Sequence, residues 1–258
     1  MKIRLIRHAT VLLDIGGQKI LVDPMLSPAR AMEPVVHSPN RQRNPLVELP
    51  LSTEALLDVD AVLLTHTHRD HFDDEAAKRL PKDVPVFCQP SDEGKVNDLG
   101  FASVHRVDDR LDWGEITLIR TGGQHGRGEM AERMGPVSGY VIQATGEPSL
   151  YIAGDTVWCP PVEATLDQYR PAISILYGGA AQFLEGGPIT MAWDDVLQVC
   201  RKNADMKVVV IHLEAFNHCL ERRSDLKRKR DEHGLSERIS VPLDGELLIF
   251  PKTTPVSG

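Results

Sequence analysis

Thr65-His66-Thr67-His68-Arg69-Asp70-His71 puts three histidines and an aspartate into six positions. Imidazole nitrogen and carboxylate oxygen are common ligands of zinc and other first-row divalent ions. The run before the motif, Val59-Asp60-Ala61-Val62-Leu63-Leu64, is short, branched and apolar, as a buried strand would be. After it, Asp73-Asp74-Glu75-Ala76-Ala77 has the acidic cap and first turn of a helix. The motif therefore belongs on a loop at the C-terminal end of a strand, where α/β folds place their chemistry. Alternation along an extended segment sets His66, His68 and Asp70 on one side and turns His71 elsewhere. One loop then serves two neighbouring ions.

The chain has 258 residues, enough for one large α/β domain. No break resembles a linker, so residues 1–258 read as a single domain. A net charge of −8 argues against a nucleic-acid partner. The basic stretch Arg222–Arg230 is interrupted and flanked by acids and reads as a solvated helix face. No apolar run is long enough for a membrane span, and residues 1–8 lack the apolar core of a signal peptide. Four scattered cysteines without a Cys-x-x-Cys pair suit reduced thiols and a cytoplasmic protein. The partner expected is a small-molecule substrate, and self-association into a homo-oligomer is left open.

Strands are expected at 2–6, 10–14 and 19–22, opening the chain as a meander. Six prolines then fill a long irregular loop over 24–51, a type of segment often used as a lid or substrate wall. Beyond it, strands at 60–64, 84–88, 102–107, 115–120, 139–144, 149–153, 172–177, 207–211 and 243–251 alternate with helices. Those helices are expected at 52–57, 73–80, 91–97, 161–169, 190–201 and 220–230. Residues 126–136 read as a polar loop. This order suggests an α/β sandwich with helices over its sheets.

Further metal-competent residues recur at strand ends: His125 after a glycine pair, Asp155 in Gly154-Asp155-Thr156, and His212. If the strand ends converge, seven ligands are too many for one four-coordinate zinc. They suit two ions sharing a carboxylate, spaced about 3.5–4 Å apart with a hydroxide between them. His218 competes with His212 as the last ligand; otherwise it lines the pocket or starts a helix. His212 is preferred because it directly follows an apolar strand.

In this order the residues resemble the metallo-β-lactamase superfamily of hydrolases, over residues 3–250. The resemblance implies an αββα sandwich of two mixed sheets flanked by helices. It also implies that His66, His68 and His125 hold one metal, that Asp70, His71 and His212 hold the other, and that Asp155 bridges. An imidazole at His68, where diiron relatives carry glutamate, favours two zinc ions over manganese or iron. His8-Ala9-Thr10 and Lys19–Pro24 look like the branch of ascorbate-6-phosphate lactonases and the phospholipase D acting on N-acyl-phosphatidylethanolamines. That branch suggests that His8, with His218, meets substrate, although this chain has Arg7-His8 where members often carry Gly-His. Asp23 reads as structural or as support for a ligand.

The expected activity is hydrolysis by a hydroxide bound to two metals, with Asp70 and Asp155 as catalytic carboxylates. A lactone or phosphoester of a small polar metabolite is the substrate that the resemblance favours. The competing readings are a phosphodiesterase or nuclease of the same superfamily and a metal-binding regulatory protein without turnover.

Overall fold

The computed structural model describes residues 1–253. Its first sheet starts from an antiparallel meander, β1 (Lys2–Arg7), β2 (Thr10–Ile15) and β3 (Gln18–Val22). Parallel strands β4 (Ala61–Leu63), β5 (Val86–Cys88) and β6 (Val104–Arg106) extend it, separated by helices α1 (Thr53–Leu57), α2 (Asp74–Arg79) and α3 (Glu93–Asp98). A second sheet begins antiparallel with β7 (Arg110–Trp113), β8 (Ile116–Gly122), β9 (Ser138–Ala144) and β10 (Leu150–Ile152). It continues in parallel through β11 (Ile173–Tyr177), β12 (Lys207–Ile211) and β13 (Ile239–Ser240). Helices α4 (Glu129–Met134), α5 (Pro160–Tyr169), α6 (Trp193–Lys202) and α7 (Arg223–Glu232) belong to this half. The last strand, β14 (Leu247–Ile249), returns to pair with β1, giving two mixed sheets of seven strands each.

Alternation along the strands explains the layering. Ile20, Val22, Ala61 and Leu63 of the first sheet meet Ile152, Ile175, Tyr177 and Ile211 of the second in a shared inner core. The intervening residues face outward: Leu21 and Val62 pack under Leu56, Ala76 and Val96, while Val208 and Val210 pack under Val162, Val196 and Leu226. Each sheet thus buries both faces, which accounts for its continuous apolar strands. The result is the expected αββα sandwich. No helix among the described residues is long and apolar enough to cross a membrane.

Several elements depart from the sequence expectation. The 126–136 segment contains α4, whose Met130 is buried. Helix α7 starts at Arg223 instead of residue 220 because the Leu220 and Glu221 amides are taken by the Gly179 carbonyl. Strands β7 and β13 are additional to those expected: β7 alternates as Arg110-Leu111-Asp112-Trp113 but for only four residues, and β13 is two residues long. The 24–51 loop is irregular, as expected, but firmly held. Arg7 is fully buried and donates to the carbonyls of Val47, Met25 and Ser27 at 2.8–2.9 Å. Burial pushes its guanidinium down to about 10, against the pull of Asp73, Asp244 and Glu48.

Candidate metal centre

The Thr65–His71 motif follows β4 directly, and strand alternation does not carry through it. The His71 and Phe72 amides both donate to the His68 carbonyl, at 2.9 and 2.8 Å, making a tight turn. This turn swings Asp70 away from His66 and His68 and groups it with His71. Expected companions on one side of an extended segment are therefore split between two clusters. Asp73, just beyond, caps α2 through the Ala76 amide and holds the Ser27 amide at 2.7 Å, tying helix and loop together behind the turn.

The other strand ends converge here. His66, His68 and His125 form one donor group, and His8, Asp70, His71 and His212 form a second. Asp155 reaches both, lying 3.2 Å from His71 Nε2, 3.3 Å from His212 Nε2 and 3.4 Å from His125 Nε2. Two glycines permit this approach. A Cβ on Gly154, which has φ +70°, would meet the Ser138 carbonyl at 2.6 Å, and one on Gly179 would collide with the His212 carbonyl.

Hydrogen bonds on the far side of the His66, His71, His125 and His212 rings fix their orientation. His71 Nδ1 donates to Asp23 and His125 Nδ1 to the Ile189 carbonyl at 2.8 Å. The Thr65 hydroxyl gives its proton to Asp23, so His66 Nδ1 donates to Thr65 Oγ1 at 3.2 Å. His212 Nδ1 faces Cys219 Sγ at 3.5 Å. The remaining nitrogens thereby face inward, the usual arrangement around ligating histidines. His66 Nε2 comes to 2.9 Å from His68 Nδ1, and His212 Nε2 to 3.3 Å from His71 Nε2.

Electrostatics follow from this crowding. Burial disfavours the charged Asp155 carboxylate, but His212, His71 and His125 outweigh it and hold the group well below the usual carboxylate range. Asp70 behaves likewise under His71, His212 and His8. Burial also opposes a charge on His212, yet Asp155, Cys219 and Asp70 together push it up to about 10. Burial, with His71 next, drives His66 well below its ordinary value. Asp155 Oδ1 is buried without a hydrogen-bond partner. Inward imidazole nitrogens beside an orphaned carboxylate oxygen fit divalent cations, and the mix of imidazole and carboxylate suits first-row metals.

His8 and His218 take different places. His8 is fully buried behind Asp70, with Nε2 3.2 Å from Asp70 Oδ2 and its ring 3.7 Å from that of His212. It is not among the residues that line the cleft. His218 does line the cleft and is 5% exposed, with Nδ1 unpartnered; burial pushes it down to about 4. The cleft holds about 220 Å³, with His68, Asp70, His125 and Asp155 at its floor and Val35, Met134, Phe183, Ile189 and Phe216 among its walls. Val35 comes from the 24–51 loop, expected as a lid or substrate wall, and Met134 comes from α4. Nearby in the 24–51 and 126–136 segments, Arg43 pairs with Glu33 and Arg127 with Asp195.

Two residues escaped the sequence reading. Tyr177 donates to Asp23 at 2.9 Å, and Asn217 ties residues 35–44 to the segment after His212. Only their contacts with residues far away in the chain reveal these roles.

Comparison with known proteins shows the family and the fold. Residues 18–213 match the β-lactamase superfamily domain. The chain is 38% identical to UPF0173 protein YddR of Bacillus subtilis, covering 97% of this chain and all of that one. It is 27% identical to a UPF0173 metal-dependent hydrolase of Azorhizobium caulinodans, over 95% and 98% of the two chains. The crystal structure of isothiocyanate hydrolase from Delia radicum gut bacteria superposes with a TM-score of 0.94 at 37% identity, covering 97% of this chain and all of that one.

Proposed function

The chain belongs to the UPF0173 metal-dependent hydrolases of the β-lactamase superfamily, and from that premise we propose that it hydrolyses small uncharged electrophiles of the isothiocyanate class. The observation that carries this reading is the cleft, whose polar groups gather at the floor under apolar walls. Among the described residues, Arg69 is the one Lys or Arg lining it, and that guanidinium is exposed and turned to Asp74 at 3.5 Å. A phosphoester would have to draw its charge neutralisation almost wholly from ions held at the floor, with little help from side chains. The likeness to an isothiocyanate hydrolase adds to the argument.

In this reading His66, His68 and His125 would hold one divalent ion and Asp70, His71 and His212 a second, with Asp155 available to either. Zinc suits the donor set best, with manganese or iron as alternatives. Bound there, such ions act as Lewis acids and bring the pKa of water toward neutrality. Asp70 is held as a carboxylate, accepts one proton of the attacking water and returns it to the substrate nitrogen. The water oxygen adds to the central carbon of R–N=C=S, and the resulting thiocarbamic acid separates into amine and carbonyl sulfide. His218, a neutral imidazole, hydrogen-bonds to the nitrogen or sulfur of the substrate. The apolar walls keep bulk water from the reacting carbon.

The test is amine release from benzyl isothiocyanate by zinc-loaded protein, run beside lactones and phosphodiesters. Turnover of the isothiocyanate that disappears on chelation supports the proposal. Turnover confined to a lactone or a phosphodiester overturns it.

A further inference from the structure

A second cavity, of about 600 Å³, adjoins the cleft. Phe183 lines both. Each of three segments places one residue in the cleft and another in the outer cavity: Val35 and then Val36, Met134 and Met130 on α4, and Phe183 and then Leu184. Arg133 and Glu185 also line the outer cavity. Val36 and Leu184 are large apolar residues left 70% and 67% exposed.

This cavity is built, not a gap between loose loops. The Leu184 amide donates to the His37 carbonyl at 2.6 Å, joining two of its walls. Asn217, 1% exposed, fixes the Val36 wall from behind. Its Oδ1 accepts from the Val35 amide at 3.0 Å and from Asn44 Nδ2 at 2.7 Å, while its Nδ2 donates to the Val35 carbonyl at 3.1 Å. On the third side Met130 packs so closely on Gly186 that a Cβ there would lie 2.5 Å from its Cε. Asn217 also stands between Phe216 and His218, which both line the cleft.

We propose that the outer cavity is a binding subsite for the apolar arm of the substrate, an aryl or arylalkyl group whose electrophilic end lies in the cleft. Size supports this. The cleft alone, at about 220 Å³, is smaller than the roughly 300–1,000 Å³ usual for small-molecule sites, and the two spaces together fall within that range. Chemistry supports it as well, since an apolar arm covers Val36 and Leu184, which otherwise stand in water. The identity of the reacting group rests on the isothiocyanate reading, but the preference for an apolar arm does not.

Two measurements on the zinc-loaded protein test the subsite separately from the reaction. The first is kcat/KM for methyl, butyl, benzyl and 2-phenylethyl isothiocyanates. It is expected to rise by at least about tenfold from methyl to 2-phenylethyl, in line with the gain from filling an apolar pocket. In Leu184→Asp, at an exposed position that leaves the core untouched, the ratio of 2-phenylethyl to methyl should fall close to one. The second is saturation-transfer NMR with the unreactive probe N-(2-phenylethyl)acetamide, which should bind the wild type and bind Leu184→Asp and Asn217→Ala more weakly. Equal probe binding by all three proteins, or an arm-independent kcat/KM, overturns the subsite. Probe binding with the expected losses but no turnover of any isothiocyanate keeps the subsite and removes the isothiocyanate reading instead.

Discussion

His71 donates from Nδ1 to Asp23 Oδ2 at 2.9 Å, and this bond sets the direction in which the ring faces the metal centre. Asp23 is fully buried and collects three further donors: the Thr65 amide at 2.8 Å, the Thr65 hydroxyl at 2.6 Å and the Tyr177 hydroxyl at 2.9 Å. A carboxylate so surrounded cannot easily rotate, and it leaves His71 Nε2 as the nitrogen that faces the donor cluster. Asp23→Ala should therefore weaken metal binding by about 10–100-fold, and Tyr177→Phe by less. Competition against a chromophoric chelator measures both. Unaltered affinity in Asp23→Ala would contradict an orienting role.

Asp155 is the carboxylate that touches both donor groups, so Asp155→Ala tests the bridge. The expected result is loss of about one ion per chain and a fall in kcat/KM of about a hundredfold or more. Unchanged turnover at full metal content would refute the assignment.

Metal uptake should release protons. In the metal-free protein Asp155, Asp70 and Asp23 overcome burial and raise His71 well above its ordinary value, and His212 is raised to about 10. Both imidazoles are then protonated near pH 7.5 and must lose a proton to ligate, so roughly one to two protons per chain should leave on zinc binding. Affinity consequently strengthens as pH rises toward 10 and weakens as it falls. Calorimetric titration in buffers of differing ionisation enthalpy reads the number directly. Heats that are independent of buffer would rule this out.

Chelation should destabilise the fold. A ligand present at about 1,000 times its Kd contributes about 4 kcal/mol to the folded state. In a chain of this size that corresponds to a fall in Tm of about 10 °C when the metal is stripped. Differential scanning calorimetry with and without chelator provides the comparison, and coincident transitions would speak against a metal held in the core.

No thiol takes part in the proposed chemistry. Burial, followed by Asp92 and Glu93, pushes the Cys88 thiol up to about 12, and burial also raises Cys200 and Cys219. Native protein should react slowly with Ellman's reagent and keep its activity after iodoacetamide treatment. Rapid loss of activity with one equivalent of label would implicate a cysteine.

Much of this was readable from local pattern. The apolar run ending at Leu64 marked a buried strand, and its histidine-rich continuation marked the site. His125, Asp155 and His212 followed from the same strand-end logic, and the structure gathers all three around the motif. The turn at His68–Phe72 was not readable, because backbone bonds to one carbonyl overrode the alternation that an extended loop would keep. Helix α4 escaped because its polar sequence is anchored mainly by Met130. Asp23 was readable only as support, since its partners Thr65, His71 and Tyr177 come from distant parts of the chain. Asn217 gave no signal, as its contacts span more than 170 residues. His8 looked like a residue facing substrate, and only packing against His212 and Asp70 revealed its depth.

The most direct test of the central claim is the metal content of protein purified without added metal, by mass spectrometry, together with reloading after chelation. About two equivalents per chain, predominantly zinc, is the expected result, with activity returning as the second equivalent binds. A plateau at one equivalent with full activity would contradict the two-ion centre. Failure to take up any metal would return the cluster around Asp155 to a purely structural role.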